Sequence, residues 1–282
     1  MPQIYCVISP AVQLNQLLTG FQTSGLSLVA DGLLLISAIA YLFAVKKITN
    51  AGRSWSPWRT LSFLAGLFTV FFATGSGFAS YDDSVFFMHV IQHLLLMNAA
   101  PILFVLSAPM TLILQTSPRS RKIRILKFIN SKSIRFVTLP IIAWLGNWLT
   151  MYIYFLTPIY SLSLKHPLFH DYTHLQFLLV GYNYWSPVIA VDHLKHKLSF
   201  GTKLAYLLSG IPFGSFLGIA IMQMKTSIAP FAHTLSDTHT GGSILWGFGE
   251  IFTLVALAIL FTQWAKTDER EARRLDRELY SS

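Results

Sequence analysis

The 282-residue sequence has a single cysteine, Cys6, and only 12% charged residues, about half the roughly 25% of an ordinary soluble domain. A lone thiol excludes an intramolecular disulfide framework, a thiolate-held iron–sulfur cluster, a four-cysteine zinc site and a CxxC redox pair. Covalent haem attachment through CxxCH is excluded with them. Glycine-rich dinucleotide and phosphate loops and the GxSxG nucleophile elbow are missing as well, which leaves no sequence ground for nucleotide or serine-hydrolase chemistry. Internal repeats and low-complexity stretches are not evident.

What the sequence has is apolar residues, 53% of the chain, including 22 phenylalanines and seven tryptophans, gathered into runs. A helix needs about 20 mostly apolar residues to cross a bilayer core. Seven segments qualify: 25–45, 60–80, 85–115, 136–157, 172–191, 203–223 and 241–264. The expected fold is therefore all-α, a polytopic bundle of seven transmembrane helices. The third run is too long for one pass and contains Pro101 and Pro109, which predicts a kink or an interfacial end piece.

Basic residues set the orientation, because short cytoplasmic loops retain them. Of the 21 lysines and arginines, all but Lys165 and Lys225 fall between spans one and two, three and four, five and six, or in the tail. This predicts an extracytoplasmic N-terminus and a cytoplasmic C-terminus. The expected organisation is an extracytoplasmic segment at 1–24, a membrane domain at 25–264 and a charged tail at 265–282. No cleavable signal is expected, since the first residues lack a basic region ahead of an early apolar run. The net charge of +9 is distributed loop by loop, which excludes nucleic acid as a partner and makes the lipid bilayer the expected one. Residues 119–132, with Ile123, Leu126 and Ile129 among arginines and lysines, suit a helix lying on the anionic inner leaflet.

Seven of the nine histidines fall towards the outer face: His89, His93, His166, His170, His174, His233 and His239. His193 and His196 are cytoplasmic. His89/His93 and His170/His174 have i,i+4 spacing, which puts two imidazoles on one helix face, and imidazole is a ligand for copper, zinc and haem iron. Two such pairs at one membrane depth point to a metal site, because polar groups within a bundle are costly unless they face a partner or cavity. His166 precedes Pro167 and reads as a loop residue. Met97 lies one turn below His93 and is expected to pack in the core. Asp82 and Asp83 read as solvated loop acids, while Asp237 is placed to orient an imidazole or to ligate. Asp31 and Glu250 are intramembrane acids. Three chemistries stay open on these residues: a non-catalytic metal handler, a seven-span zinc hydrolase, and a bis-histidine haem carrier.

The stretch from Met88-His89 through Gln92-His93, Met97 and Pro101 to Ser107-Ala-Pro109 resembles the signature span of the CtaG family of cytochrome c oxidase assembly proteins. The likeness continues through Leu156-Thr-Pro158, His170-Asp-Tyr-Thr-His174, Trp185-Ser-Pro187 and Asp237-Thr-His239-Thr-Gly-Gly242, roughly residues 85–278. The resemblance implies a multi-pass plasma-membrane protein that is not an enzyme and that helps mature a haem–copper oxidase. It implies copper as the handled metal, with zinc the other possibility, and an oxidase subunit or a copper chaperone as partner. His89, His93, His170, His174 and Asp237 match the family's positions. The chain departs from its relatives at Gly214 and Thr238, where histidine and glutamine are usual, and His239 is the substitute ligand this suggests.

Overall fold

The computed structural model describes residues 12–189, 191–192 and 198–280. Cys6, His193 and His196 therefore lie outside the described residues, as do the first 11 residues of the expected 1–24 segment. Among the described residues the architecture is all-α. A short helix α1 (Leu14–Thr19) leads to α2 (Gly25–Asn50), α3 (Pro57–Thr74), α4 (Phe86–Leu94), a π turn at Leu95–Ala99, α5 (Ala100–Leu106) and α6 (Pro109–Thr116). There follow α7 (Arg119–Ile129), α8 (Lys132–Val137), α9 (Pro140–Leu156), α10 (Ile159–Ser163), α11 (Pro167–Ile189), α12 (Phe200–Met222) and α13 (Leu235–Tyr280).

Local chemistry sets these boundaries. Ser24, Ser131 and Ser199 each accept a backbone N–H at the start of a helix, and Pro57, Pro109 and Pro140 occupy first-turn positions where a missing N–H costs nothing. Pro101 has no N–H to give to the carbonyl of Met97, and the helical register widens into the π turn just before it. The long third run thus continues through α5 to Leu106. It breaks at Ala108, whose φ of 51° is left-handed, and resumes as α6.

Among the described residues, four helices are long and apolar enough to cross a membrane: Leu26–Asn50, Phe86–Leu106, Phe200–Met222 and Leu235–Ala265. The other expected spans appear as α3, α9 and α11, helices of 18, 17 and 23 residues in the same bundle. α9 is short, and α11 is diluted by His170, Asp171, His174, Gln176 and Asn183. Large apolar side chains face outwards: Leu35, Ile36 and Phe43 on α2, Phe68 on α3, Phe216 on α12 and Leu254 on α13 are all exposed. Contiguous apolar surface of this kind suits lipid rather than water.

Two close approaches fix the helices around the site. At Gly181 of α11, an added Cβ would collide with the Met97 carbonyl, so α11 seats directly on the π turn. α12 and α13 touch backbone to backbone at Gly218 and Gly242, where an added Cβ on either would lie 2.9 Å from the other's carbonyl oxygen.

Candidate metal centre

α4 and α11 both begin at the same end of the bundle, and each brings its two histidines to that end. Helical spacing puts the rings of His89 and His93 4.2 Å apart on α4, and those of His170 and His174 4.5 Å apart on α11. α11 starts at Pro167, so His170 and His174 lie well inside it, whereas His166 precedes it. Across the gap, His89 stacks on His170 at 5.2 Å and His93 faces His174 at 5.6 Å. The four imidazoles form a buried quartet, the deepest being His89 and His93 at 0% and 1% exposure.

Their nitrogens converge. Donor atoms of His89, His93 and His170 lie within 4.8 Å of one another, and so do those of Asp82, His170 and His174. His170 belongs to both sets. Several of these atoms have no hydrogen-bond partner: His89 Nδ1, both ring nitrogens of His93, and His170 Nε2, the last 4.0 Å from Asp82 Oδ2. Three of the remaining nitrogens are engaged from behind. The Tyr154 hydroxyl lies 3.1 Å from His89 Nε2, and Asp83 Oδ1 lies 3.1 Å from His170 Nδ1. Gln92 Oε1 is 3.1 Å from His174 Nε2, while its amide nitrogen donates to Asp82 and to the Ala73 carbonyl, both at 2.8 Å. Carboxylate or hydroxyl on one ring nitrogen and a free nitrogen on the other is how proteins orient metal-binding imidazoles. Donors bound to one ion at about 2.0–2.1 Å sit roughly 3.3–3.6 Å apart, so closing the set takes side-chain shifts of about an ångström. The donor set therefore fits a metal ion.

Asp82 was expected in solvent as a loop acid. It is 7% exposed instead, carried into the cluster by the short 3-10 turn Ala79–Tyr81 that follows α3. Burial pushes its carboxyl up to about 6, against the opposing pull of His170 and the Gln92 amide. Asp83 beside it stays exposed and marks the mouth of the cluster. Gln92 and Tyr154 escaped the sequence reading, although Gln92 sits between the two α4 histidines.

The other two residues expected at the metal lie outside both donor sets. Asp237, on the first turn of α13, accepts the backbone N–H groups of Phe86 and Phe87 at 2.7 and 3.1 Å. Its carboxylate caps α4, satisfying two free donors at the positive end of that helix, and it lies 3.6 Å from His233 Nδ1. His239 Nε2 lies 2.9 Å from the Met224 carbonyl oxygen. Met97 is buried in the core.

Residues 39–267 match the family described as cytochrome c oxidase caa3 assembly factor. Among curated proteins the chain is 28% identical over 260 residues to the uncharacterized proteins Mb0105 of Mycobacterium bovis and MT0111 of Mycobacterium tuberculosis. It is also 28% identical over 263 residues to ML1998 of Mycobacterium leprae. These alignments cover 86% of this chain but only 39–40% of each relative, so the chain spans about two fifths of their length. No solved structure matches it. The match over most of its length makes the chain a member of the caa3 cytochrome c oxidase assembly factor family.

Proposed function

We propose that the protein is a non-catalytic assembly factor of the bacterial plasma membrane. In this reading it holds copper in the imidazole quartet and releases it to an oxidase subunit or a copper chaperone. The observation that carries the reading is the set of buried imidazole nitrogens on His89, His93 and His170 that converge without a hydrogen-bond partner. A buried nitrogen without a partner is costly, and a soft or borderline cation removes that cost at all three at once.

The proposed topology is seven alternating passes. α4, α11 and α13 start at the cluster end, α3, α9 and α12 finish there, and the basic stretches Lys46–Arg59 and Arg119–Arg135 lie at the opposite end. The positive-inside rule then puts the histidines outside, on the side from which copper arrives. The exposed Asp83 carboxylate attracts the cation, Asp82 with His170 and His174 forms the shallower set, and the shared His170 connects it to the deeper His89/His93 pair. Transfer between sets that share a ligand exchanges one donor at a time, so the ion is never left without ligands. Tyr154, Asp83 and Gln92 keep the rings turned towards it.

Haem is disfavoured, because His93 already packs edge-on against Phe177 at 4.1 Å and lies against Tyr154 at 5.0 Å, where a macrocycle would have to fit. The test replaces the wild type in cells by His89→Ala/His93→Ala. The expected result is an oxidase that retains haem but loses copper and activity. Oxidase of normal copper content in that strain would overturn the reading.

A further inference from the structure

A cavity with polar groups in its walls lies deeper in the bundle, on the far side of the π turn, between α4, α9, α11, α12, α13 and the turn itself. Its lining includes Met97, Asn98, Asn147, Trp148, Met151 and Glu250. The helices that supply Met97 and Glu250 are both long and apolar enough to span a membrane, so this is polar chemistry at membrane depth.

The walls are short of hydrogen-bond partners. Asn147 is 6% exposed, and its Oδ1 has none. Trp148 Nε1 is likewise buried without a partner. The Glu250 carboxylate is met by Ser215 Oγ at 3.4 Å, a long contact. It has room because Gly214 lies beside it, where an added Cβ would come within 3.0 Å of Oε1. An acid and an unsatisfied amide oxygen at this depth are expensive unless something completes them, and such groups in membranes mark ion or substrate sites.

Size and donor type narrow the occupant. The centres of water-sized groups have about 40 Å³ available, and at about 10–15 Å³ each that is roughly three or four such groups. This suits an ion with a water and is too small for a quinone or haem. A single carboxylate is neutralised by a monovalent cation, and the two thioethers select a soft one over sodium or potassium. Met97 lies one turn beyond His93 on the same continuous segment, so the cavity adjoins the quartet.

We propose that this cavity is a second, intramembrane cuprous-ion site, in which the Met97 and Met151 thioethers bind the metal and Glu250 balances its charge. The inference rests on copper being the protein's cargo. It assigns the chain two stations, an outer imidazole site and an inner thioether site.

The experiment is anaerobic titration of the full-length, detergent-purified protein with Cu(I) against a chromogenic Cu(I) chelator, read as copper per chain. The expected result is two for the wild type, one for Met97→Leu/Met151→Leu and one for His93→Ala/His174→Ala. Leucine conserves methionine's volume, and Glu250→Gln serves as an independent variant that should weaken the second equivalent at least about tenfold. One copper in the wild type, lost in the histidine variant and kept in the methionine variant, overturns the inner site and leaves the imidazole reading intact. One copper with the opposite pattern overturns the imidazole reading and keeps the inner site. Two coppers insensitive to both Met97→Leu/Met151→Leu and Glu250→Gln also overturn the proposal, as would a cavity that holds only water.

Discussion

Replacing Asp237 separates its two readings, helix cap and metal ligand. The carboxylate takes two backbone N–H groups from the first turn of α4, and Phe86, whose N–H it accepts, is completely buried. Hydrogen bonds to a charged group contribute about 1.5–3 kcal/mol, and a negative charge at a helix N-terminus adds about 0.3–1 kcal/mol, more when partly buried. Asp237→Ala strands both donors and should cost about 3 kcal/mol. Asp237→Asn keeps one acceptor oxygen without the charge and should cost about 1–2 kcal/mol. Unfolding in mixed micelles, followed by tryptophan fluorescence, measures both. Copper per chain, measured on the folded fraction, should stay at the wild-type value, because Asp237 lies outside both donor sets. If Asp237→Asn lost copper as His93→Ala does while stability changed by less than about 0.5 kcal/mol, the carboxylate would be a ligand and the capping account would be refuted.

Four further outcomes follow from the same geometry. His93→Ala and His174→Ala should each lower bound copper, whereas His193→Ala, at the cytoplasmic end by sequence, should not; metal analysis of the purified variants decides. Gln92→Leu removes hydrogen bonds to Asp82, the Ala73 carbonyl and His174, and should cost about 2–3 kcal/mol and reduce copper affinity; unchanged affinity would show that Asp82 and His174 need no positioning. Gly181→Ala forces a methyl against the Met97 carbonyl and should destabilise by about 1–3 kcal/mol in the same micelle assay. Cysteine in place of Asp83 should react with an impermeant thiol reagent on intact cells and cysteine in place of Lys122 only after permeabilisation; the reverse would invert the proposed topology.

The helical character and the two histidine pairs were legible in the sequence because both depend on local periodicity. The i,i+4 spacing of His89/His93 and of His170/His174 needs only a helix to become a shared face. Asp82 was not legible: whether an acid after a helix is solvated or buried depends on where the 3-10 turn places it against α4 and α11, residues up to 92 positions away. Asp237 was singled out as chemically active, but the sequence could not distinguish a ligand from a cap, since its partners are backbone N–H groups 150 residues distant. Against seven apolar runs, four helices among the described residues are span-like by length and hydropathy alone. Two of the polar residues that dilute α11, His170 and His174, build the site, so one of the two helices that carry it is not among those four.

The central claim is that imidazoles hold the copper, and the X-ray absorption spectrum of the copper-loaded protein addresses it most directly. The account predicts outer-shell scattering from coordinated imidazole with nitrogen at about 2.0 Å, present in the wild type and abolished in the variant with alanine at His89, His93, His170 and His174. Copper bound without imidazole scattering in the wild type, or the same spectrum in that variant, would contradict it.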